Sequence, residues 1–211
     1  ENPGFKANPM LSKIQQDQIV SQGAEGRIYL SDLWGHLCIV KERFKKTYRV
    51  PELDEKLTKQ RMTQEVKSMQ RLSKCGVQTP TVYLVDEYDR KIYMEYLGPT
   101  AVTLKDFLCG LNSLDHPSVE IIITMIAKSL AKMHNNDIVH GDLTTSNMML
   151  LPTLPMDFKL ANPHRISVDE ILQAFTQNKS NSALDSKCLG ELFLIDFGLS
   201  KVSSKVEDKG V

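Results

Sequence analysis

The sequence predicts an α+β protein in two parts, a β-rich N-terminal part over residues 1–97 and an α-rich C-terminal part over residues 98–211. Three observations predict it. Between Gln18 and Phe44, β-branched and aromatic residues alternate with polar ones, punctuated by Gly23, Gly26 and Gly35, which is the pattern of short strands and turns. Between Pro117 and Asp137, Ile122, Met125, Ile126, Leu130 and Met133 recur at helical spacing and should face a core. Near Glu95 to Gly98 the pattern changes from the first kind to the second.

In chain order, "QIVSQGAEGRIYLSDLWGHLCIVKERF" reads as strand, turn, strand, strand. A helix follows: Pro51 suits its first turn, Leu53, Leu57, Val66, Met69 and Leu72 keep helical spacing, and Gly76 stops it. "TVYLVDEYDRKIYMEYL" reads as a hairpin turning near Tyr88 to Arg90. This order implies an antiparallel sheet with one packed helix. Beyond Gly98, "TLKDFLCGL" and "PSVEIIITMIAKSLAKMHNND" read as helices. "IVHGDLTTSNMMLL" reads as a loop between short strands, and "LFLIDFGLS" as a buried strand entering a turn. Residues 152–190 hold three of the nine prolines and one helical patch, "SVDEILQAF". They read as a surface insertion, partly disordered or carrying one short helix.

Bulk composition narrows the class. No apolar run is long enough to span a bilayer, and "ENPGFKANPM" lacks the apolar core of a secretory signal. Cys38, Cys75, Cys109 and Cys188 lie far apart, so reduced intracellular thiols are expected rather than a zinc site. Net charge is zero, which does not point to nucleic acid. Yet Lys41 to Lys74 carries eleven Lys/Arg against five Asp/Glu. A solvated helix of mixed charge and a basic face for phosphate or nucleic acid both fit.

Four features carry chemistry, and each alone has a plain structural explanation. "SQGAEGRIYL" places two glycines in a turn whose backbone N–H groups can approach phosphate oxygens, although any hairpin turn would look similar. Lys41 in "CIVKERF" lies on the third strand, where a kinase keeps a phosphate-binding Lys. Glu65 lies in the next helix, where it can hold that Lys. Last come His140-x-Asp142 with Asn147, then Asp196-Phe197-Gly198. Phosphoryl transfer needs an oriented nucleophile and neutralised phosphate charge. Asp142 can orient a hydroxyl or accept its proton, and Asn147 and Asp196 offer hard oxygens to Mg²⁺. Gly198 is expected to let the backbone turn and aim Asp196. His140 reads as structural, bonded to backbone near that turn. Gly141 and Thr144 stand where kinases usually carry Arg and Lys, which suggests a different acceptor, water included.

Together these motifs resemble the eukaryotic-type protein kinases, a bilobal fold with a β-rich and an α-rich lobe. The Gly in "HGD" is similar to RIO-type kinases and to the aminoglycoside and choline phosphotransferases. "SQGAEGRIYL", "VKERFKKTYRVPELDEKLTKQRMTQE", "IYMEYL", "IVHGDLTTSNMML", "LIDFGLS" and "VEDKGV" are most similar to the small kinase/ATPase of the KEOPS (EKC) complex, the PRPK or Bud-type family. That resemblance runs from about Gln18 to Val211 apart from the insertion. It implies ATP and Mg²⁺, with Lys41 and Glu65 as an ion pair, Asp142 and Lys41 as catalytic residues, and Asn147 and Asp196 as metal ligands. Gly23, Ala24, Glu25 and Gly26 would lie at the nucleotide, as would Glu95 and Leu97. The resemblance also implies an atypical Ser/Thr kinase or regulated ATPase that supports threonylcarbamoyl-adenosine (t6A) formation on tRNA. Its partners would be a Kae-type subunit and other KEOPS subunits, with tRNA reached through the complex, in cytoplasm and nucleus and away from membranes.

The chain departs from the family in three places. Gly26 stands where Ala is usual, 48 residues separate Asn147 from Asp196, and the chain ends at "EDKGV" where the family continues, so the C-terminal lobe is expected to be truncated. Other readings are a free Ser/Thr protein kinase, a small-molecule phosphotransferase and a non-catalytic kinase-like scaffold. No A-P-E follows Asp196-Phe197-Gly198 here, which weighs against the first. The five intact residues Lys41, Glu65, Asp142, Asn147 and Asp196 weigh against the last.

Overall fold

A computed structural model describes residues 19–111, 113–155, 158–162, 165–177 and 189–205. Cys188 and the closing "VEDKGV" lie outside the described residues. The chain divides into two compact units, one from residues 1–66 and 81–96, the other from residues 67–80 and 97–211.

The first unit is an antiparallel five-stranded sheet. It contains β1 (Ile19–Gln22), β2 (Gly26–Leu33), β3 (His36–Arg43), β4 (Val82–Asp86) and β5 (Lys91–Glu95), in the order β1-β2-β3-β5-β4. Alternation along the strands sorts its two faces. Tyr29, Cys38 and Val40 form a buried cluster with Leu33 and Tyr93 packed against it. Ile39, Lys41 and Arg43 point to the opposite face, where register pairs Lys41 with Ile92 and Ile39 with Met94.

The long helix α1 (Pro51–Lys74) opens on a proline and closes at Gly76. Its buried stripe is only partly the one hydrophobicity selects. Leu53 is 50% exposed and Leu57 and Val66 are half-buried, whereas Asp54, Thr58, Met62 and Glu65 are buried, followed by Ser68, Met69 and Leu72. That stripe keeps helical spacing but is half polar. The reason is pairing: Asp54 lies 2.5 Å from Arg90 and 3.5 Å from Arg49, so its charge enters with partners.

In the second unit, β6 (Val102–Thr103), β8 (Met148–Leu151) and β9 (Glu191–Leu194) form one small sheet, and β7 (Ile138–Val139) pairs β10 (Lys201–Val202). Helix α2 (Leu104–Cys109) starts on Thr103, whose hydroxyl accepts the Asp106 N–H at 3.0 Å, as a capping residue should. Helix α3 (Pro117–Asn135) buries Ile122 and Met133, while Met125, Ile126 and Leu130 are only partly covered. The expected core stripe is therefore half enclosed among the described residues. The stretch after β8, which the sequence places at the surface, sends side chains inside. Helix α4 (Val168–Gln177) buries Ile171 and Ala174, and Ile166 just before it is buried too. Three residues apart, Ile171 and Ala174 lie on one helical face.

Candidate active site

In the first unit the turn between β1 and β2 holds Gly23, Ala24, Glu25 and Gly26. Gly23 N–H donates to the Gly26 carbonyl at 2.9 Å, and Phe44 N–H to the Glu25 carbonyl at 3.2 Å. Gly26 is required by packing. A Cβ there would lie 2.2 Å from the Glu42 carbonyl oxygen, far inside contact distance. The Glu25 carboxylate is engaged by Arg61 at 3.2 Å and Lys46 at 3.5 Å, and Lys46 Nζ also donates to the Ala24 carbonyl. An anion there would repel phosphate, and these cations offset it. The turn can therefore meet a phosphate through backbone N–H groups rather than through Glu25.

Lys41 and Glu65 meet as the sequence suggested, Nζ to Oε1 at 2.6 Å. Glu65 is 1% exposed, and Arg43 holds its other oxygen at 2.7 Å. Sequence reading passed over Arg43, although it lies two residues along the strand from Lys41 and shares its face. Glu95 has its carboxylate on the Thr81 N–H at 3.0 Å, so its side chain is occupied within the sheet. Leu97 is half-buried and belongs to the second unit.

In the second unit a short 3-10 turn, Thr145–Asn147, precedes β8. The antiparallel register sets Met148 opposite Leu194, and the Ile195 N–H donates to the Asn147 carbonyl at 3.0 Å. Asn147 and Asp196 thus leave the same end of one strand pair. The Asn147 amide donates to the Asp142 carbonyl at 2.8 Å and to its carboxylate at 3.1 Å. With that nitrogen engaged, Asn147 keeps its oxygen for another partner. His140 is 1% exposed, and its Nε2 lies 2.9 Å from the Ile195 carbonyl, with its ring against Phe197 at 4.7 Å. Nε2 therefore carries the proton and Nδ1 accepts the Asp142 N–H at 3.4 Å. His140 is a brace joining the Asp142 loop to the Asp196 turn, as expected.

One expectation is corrected. The residue that turns the backbone is Asp196 itself, at φ 60°; Gly198 is absent from the positive-φ residues. Ser200 closes the turn by donating to the Phe197 carbonyl at 2.6 Å, and its hydroxyl meets that of Ser68 on α1 at 2.8 Å, both buried.

The residues fit the groups the motifs imply. Asn147 and Asp196 supply two hard oxygens, enough for Mg²⁺, which keeps waters and phosphate oxygens as its other ligands. In the first unit, Lys41, Arg43, Lys46, Arg49, Arg61 and Arg90 share the carboxylates of Glu25, Asp54 and Glu65. That excess of positive charge suits a polyphosphate.

The protein kinase domain family matches residues 15–209. An EKC/KEOPS complex subunit bud32 from Dictyostelium discoideum is 37% identical over 92% of this chain and 63% of its own length. An EKC/KEOPS complex subunit BUD32 from Yarrowia lipolytica is 33% identical over 81% of this chain and 77% of its own. The chain belongs to the protein kinase domain family, in its Bud32 branch. A probable bifunctional tRNA threonylcarbamoyladenosine biosynthesis protein from Methanobrevibacter smithii is 31% identical over 92% of this chain and 34% of its own length. The Rio2 kinase of Chaetomium thermophilum, solved as an ADP/Mg²⁺-phosphoaspartate complex, shares the fold at TM-score 0.60 and 15% identity, covering 94% of this chain and 52% of that one. This Bud32-branch chain spans less than two thirds of the Dictyostelium relative, 63%. Among the described residues no helix is long and apolar enough to cross a membrane.

Proposed function

We propose that this chain binds Mg-ATP and transfers or hydrolyses its terminal phosphate, as the kinase/ATPase subunit of a KEOPS-type assembly supporting t6A formation on tRNA, in cytoplasm and nucleus. The observation that carries the chemistry is the Asp142–Asn147 pair at 3.1 Å, joined through Ile195 to Asp196. Family membership supports the assignment to KEOPS, and the Methanobrevibacter relative's name supports t6A.

Bound Mg²⁺ would neutralise phosphate charge, held by the Asn147 oxygen and Asp196. Lys41 steadies the phosphates. Asp142, held by the Asn147 amide, orients the attacking hydroxyl or water and can take its proton. His140 fixes the loop. Thr144 stands where a substrate-side Lys is usual. Water is therefore an acceptor this loop suits. Partner and tRNA contact would draw on cations outside the ion pairs described above, such as Lys45, Lys67 and Lys74.

ATP turnover of the full-length protein, alone and with its Kae-type partner and tRNA, tests this reading. Turnover should be weak alone and rise on assembly. Asp142→Ala should lower the stimulated rate about 100-fold or more, the usual weight of a positioned acid–base group. An unchanged rate would refute Asp142's role, and t6A formation with no ATP turnover would favour a scaffold.

A further inference from the structure

The basic run between Lys41 and Lys74 does more than pair along a helix. Part of it closes around a pocket of the first unit, lined by Arg43, Lys46, Arg49 and Arg61 with the carboxylates of Glu25 and Asp54 among them. Arg43, Lys46 and Arg49 follow at intervals of three from the end of β3 toward α1. Asp54 and Arg61, seven residues apart on α1, share one helical face. Asp54 pins the connecting stretch, accepting the Lys46 N–H at 3.2 Å and pairing with Arg49 at 3.5 Å. The side chains of Arg43 and Lys46 are each only 10% exposed, which is deep for cations. Their pairing is uneven. Arg43 reaches Glu65 through Nη2, and its Nε is buried with no acceptor among the described residues. Lys46 and Arg61 share one carboxylate, Glu25, at 3.5 and 3.2 Å. The Glu25 side chain is 59% exposed, so water can replace its partners, and such pairs are weak.

From this geometry we infer that the pocket is a phosphate-binding site in which Arg43, Lys46 and Arg61 take a phosphoryl group, and that Glu25 is the internal anion holding those cations until one arrives. Two of the three cations are thus kept in place by a carboxylate that leaves at little cost, beside a buried donor with nothing to bind. A phosphate fits these groups better than Glu25 does. It carries more negative charge and offers at least three acceptor oxygens, and the arginine fork matches its geometry. Arg49 stays with Asp54, which keeps the wall of the pocket fixed. The inference goes beyond the nucleotide reading, because the site uses neither Lys41 nor any group of the Asp142 loop. The phosphoryl group has two sources with the same chemistry, the terminal phosphate of a nucleotide and free orthophosphate.

The test titrates the full chain with inorganic phosphate, and in parallel with Mg-ATP and Mg-ADP, reading affinity by calorimetry. Phosphate should bind with a dissociation constant of about 1 mM or below. Glu25→Gln keeps the side chain's shape, removes the competing charge and should tighten phosphate about 3- to 10-fold. Lys46→Met and Arg61→Met should each weaken it at least about fivefold. Glu87→Gln removes the same charge from an exposed pair with Lys59 outside the pocket and should leave phosphate affinity within about twofold. A Glu25 that merely braced the turn could not give this pattern, since losing a brace does not tighten a ligand. Two arms separate the sources. If a nucleotide's terminal phosphate fills the pocket, Glu25→Gln also tightens Mg-ATP but not Mg-ADP, and Mg-ATP displaces free phosphate. If orthophosphate fills it, phosphate binds equally with and without Mg-ATP, and Glu25→Gln leaves both nucleotides unchanged. Either result supports the site. Phosphate affinity that ignores Glu25→Gln, or that rises equally in Glu87→Gln, overturns it, as does a chain that binds no phosphate at about 10 mM. If Lys46→Met does not fold, Glu25→Gln and Arg61→Met, whose side chains are less buried, decide. Mg-ATP binding without a phosphate response sinks this inference alone, and a phosphate response without Mg-ATP binding sinks the nucleotide reading alone.

Discussion

At Gly141 the structure changes what the sequence suggested. The residue has φ 82°, and a Cβ there would sit 2.2 Å from the Leu199 carbonyl oxygen. The backbone after Asp196 thus lies directly against the catalytic loop, and an Arg at this position has no room. Sequence alone reads Gly141 as a sign of an altered acceptor; the contact makes it a packing requirement of this loop. Gly141→Ala should therefore cost at least about 2 kcal/mol from left-handed strain, with the clash adding to it. For a chain of this size that lowers the melting temperature by at least about 4 °C. Calorimetry checks this, and a melting temperature within a degree of the parent would show that the Leu199 segment yields. That His140, Asp142 and Asn147 meet on one loop was legible because their spacing is short. The left-handed backbone at Asp196 was not, because no local sequence pattern marks a non-glycine residue that takes a positive φ.

At the scale of elements, α1 shows why a hydrophobic stripe can mislead. Of the pattern Leu53, Leu57, Val66, Met69 and Leu72, the last two are buried but the first three are exposed or half-buried, while the buried face also carries Asp54, Thr58, Glu65 and Ser68. Three of the four polar members have a reason to be inside that periodicity cannot show. Ser68 meets Ser200, Glu65 meets two cations, and the Arg90 guanidinium beside Asp54 holds its carboxyl below the ordinary aspartate value of 3.8. A carboxyl with a depressed folded pKa stabilises the fold above its unfolded value, and that contribution is lost as pH falls through the folded value. Stability should therefore drop below about pH 3.8 through this group, and Asp54→Asn should lack that component. At neutral pH, Asp54→Asn leaves Arg90 and Arg49 without their shared carboxylate and should cost about 3 kcal/mol. Urea melts at pH 7 and pH 3 read both effects. An equal loss at both pH values would place the stabilisation elsewhere. Ser68→Ala removes a buried hydroxyl whose partner Ser200 keeps its bond to the Phe197 carbonyl. It should cost only about 1 kcal/mol, and a far larger loss would mean that the Ser200 turn depends on it.

At the scale of the whole molecule, the sequence marked a change of character near Gly98, but the compact units divide differently. Residues 67–80, including the last turns of α1, cluster with the second unit, because Met69 and Leu72 are buried and the Leu194 N–H donates to the Gln78 carbonyl at 3.0 Å. A local pattern shows that a helix exists without showing which core takes each of its turns. A ligand that binds only the folded state at 100 times its dissociation constant adds about 2.7 kcal/mol. For about 200 residues that raises the melting temperature by about 5 to 10 °C. Mg-ADP should give a shift of that size with the parent chain. Lys41→Met removes the phosphate cation and Asp196→Asn a metal ligand, so at the same ligand concentration each alone should remove most of the shift. The two variants should then differ in one respect. ADP without Mg²⁺ should stabilise Asp196→Asn about as well as it stabilises the parent, because a missing metal ligand matters only when metal is present, and should leave Lys41→Met unshifted. If Mg²⁺ enlarges the shift equally in the parent and in Asp196→Asn, the metal assignment is wrong while the Lys41 assignment stands.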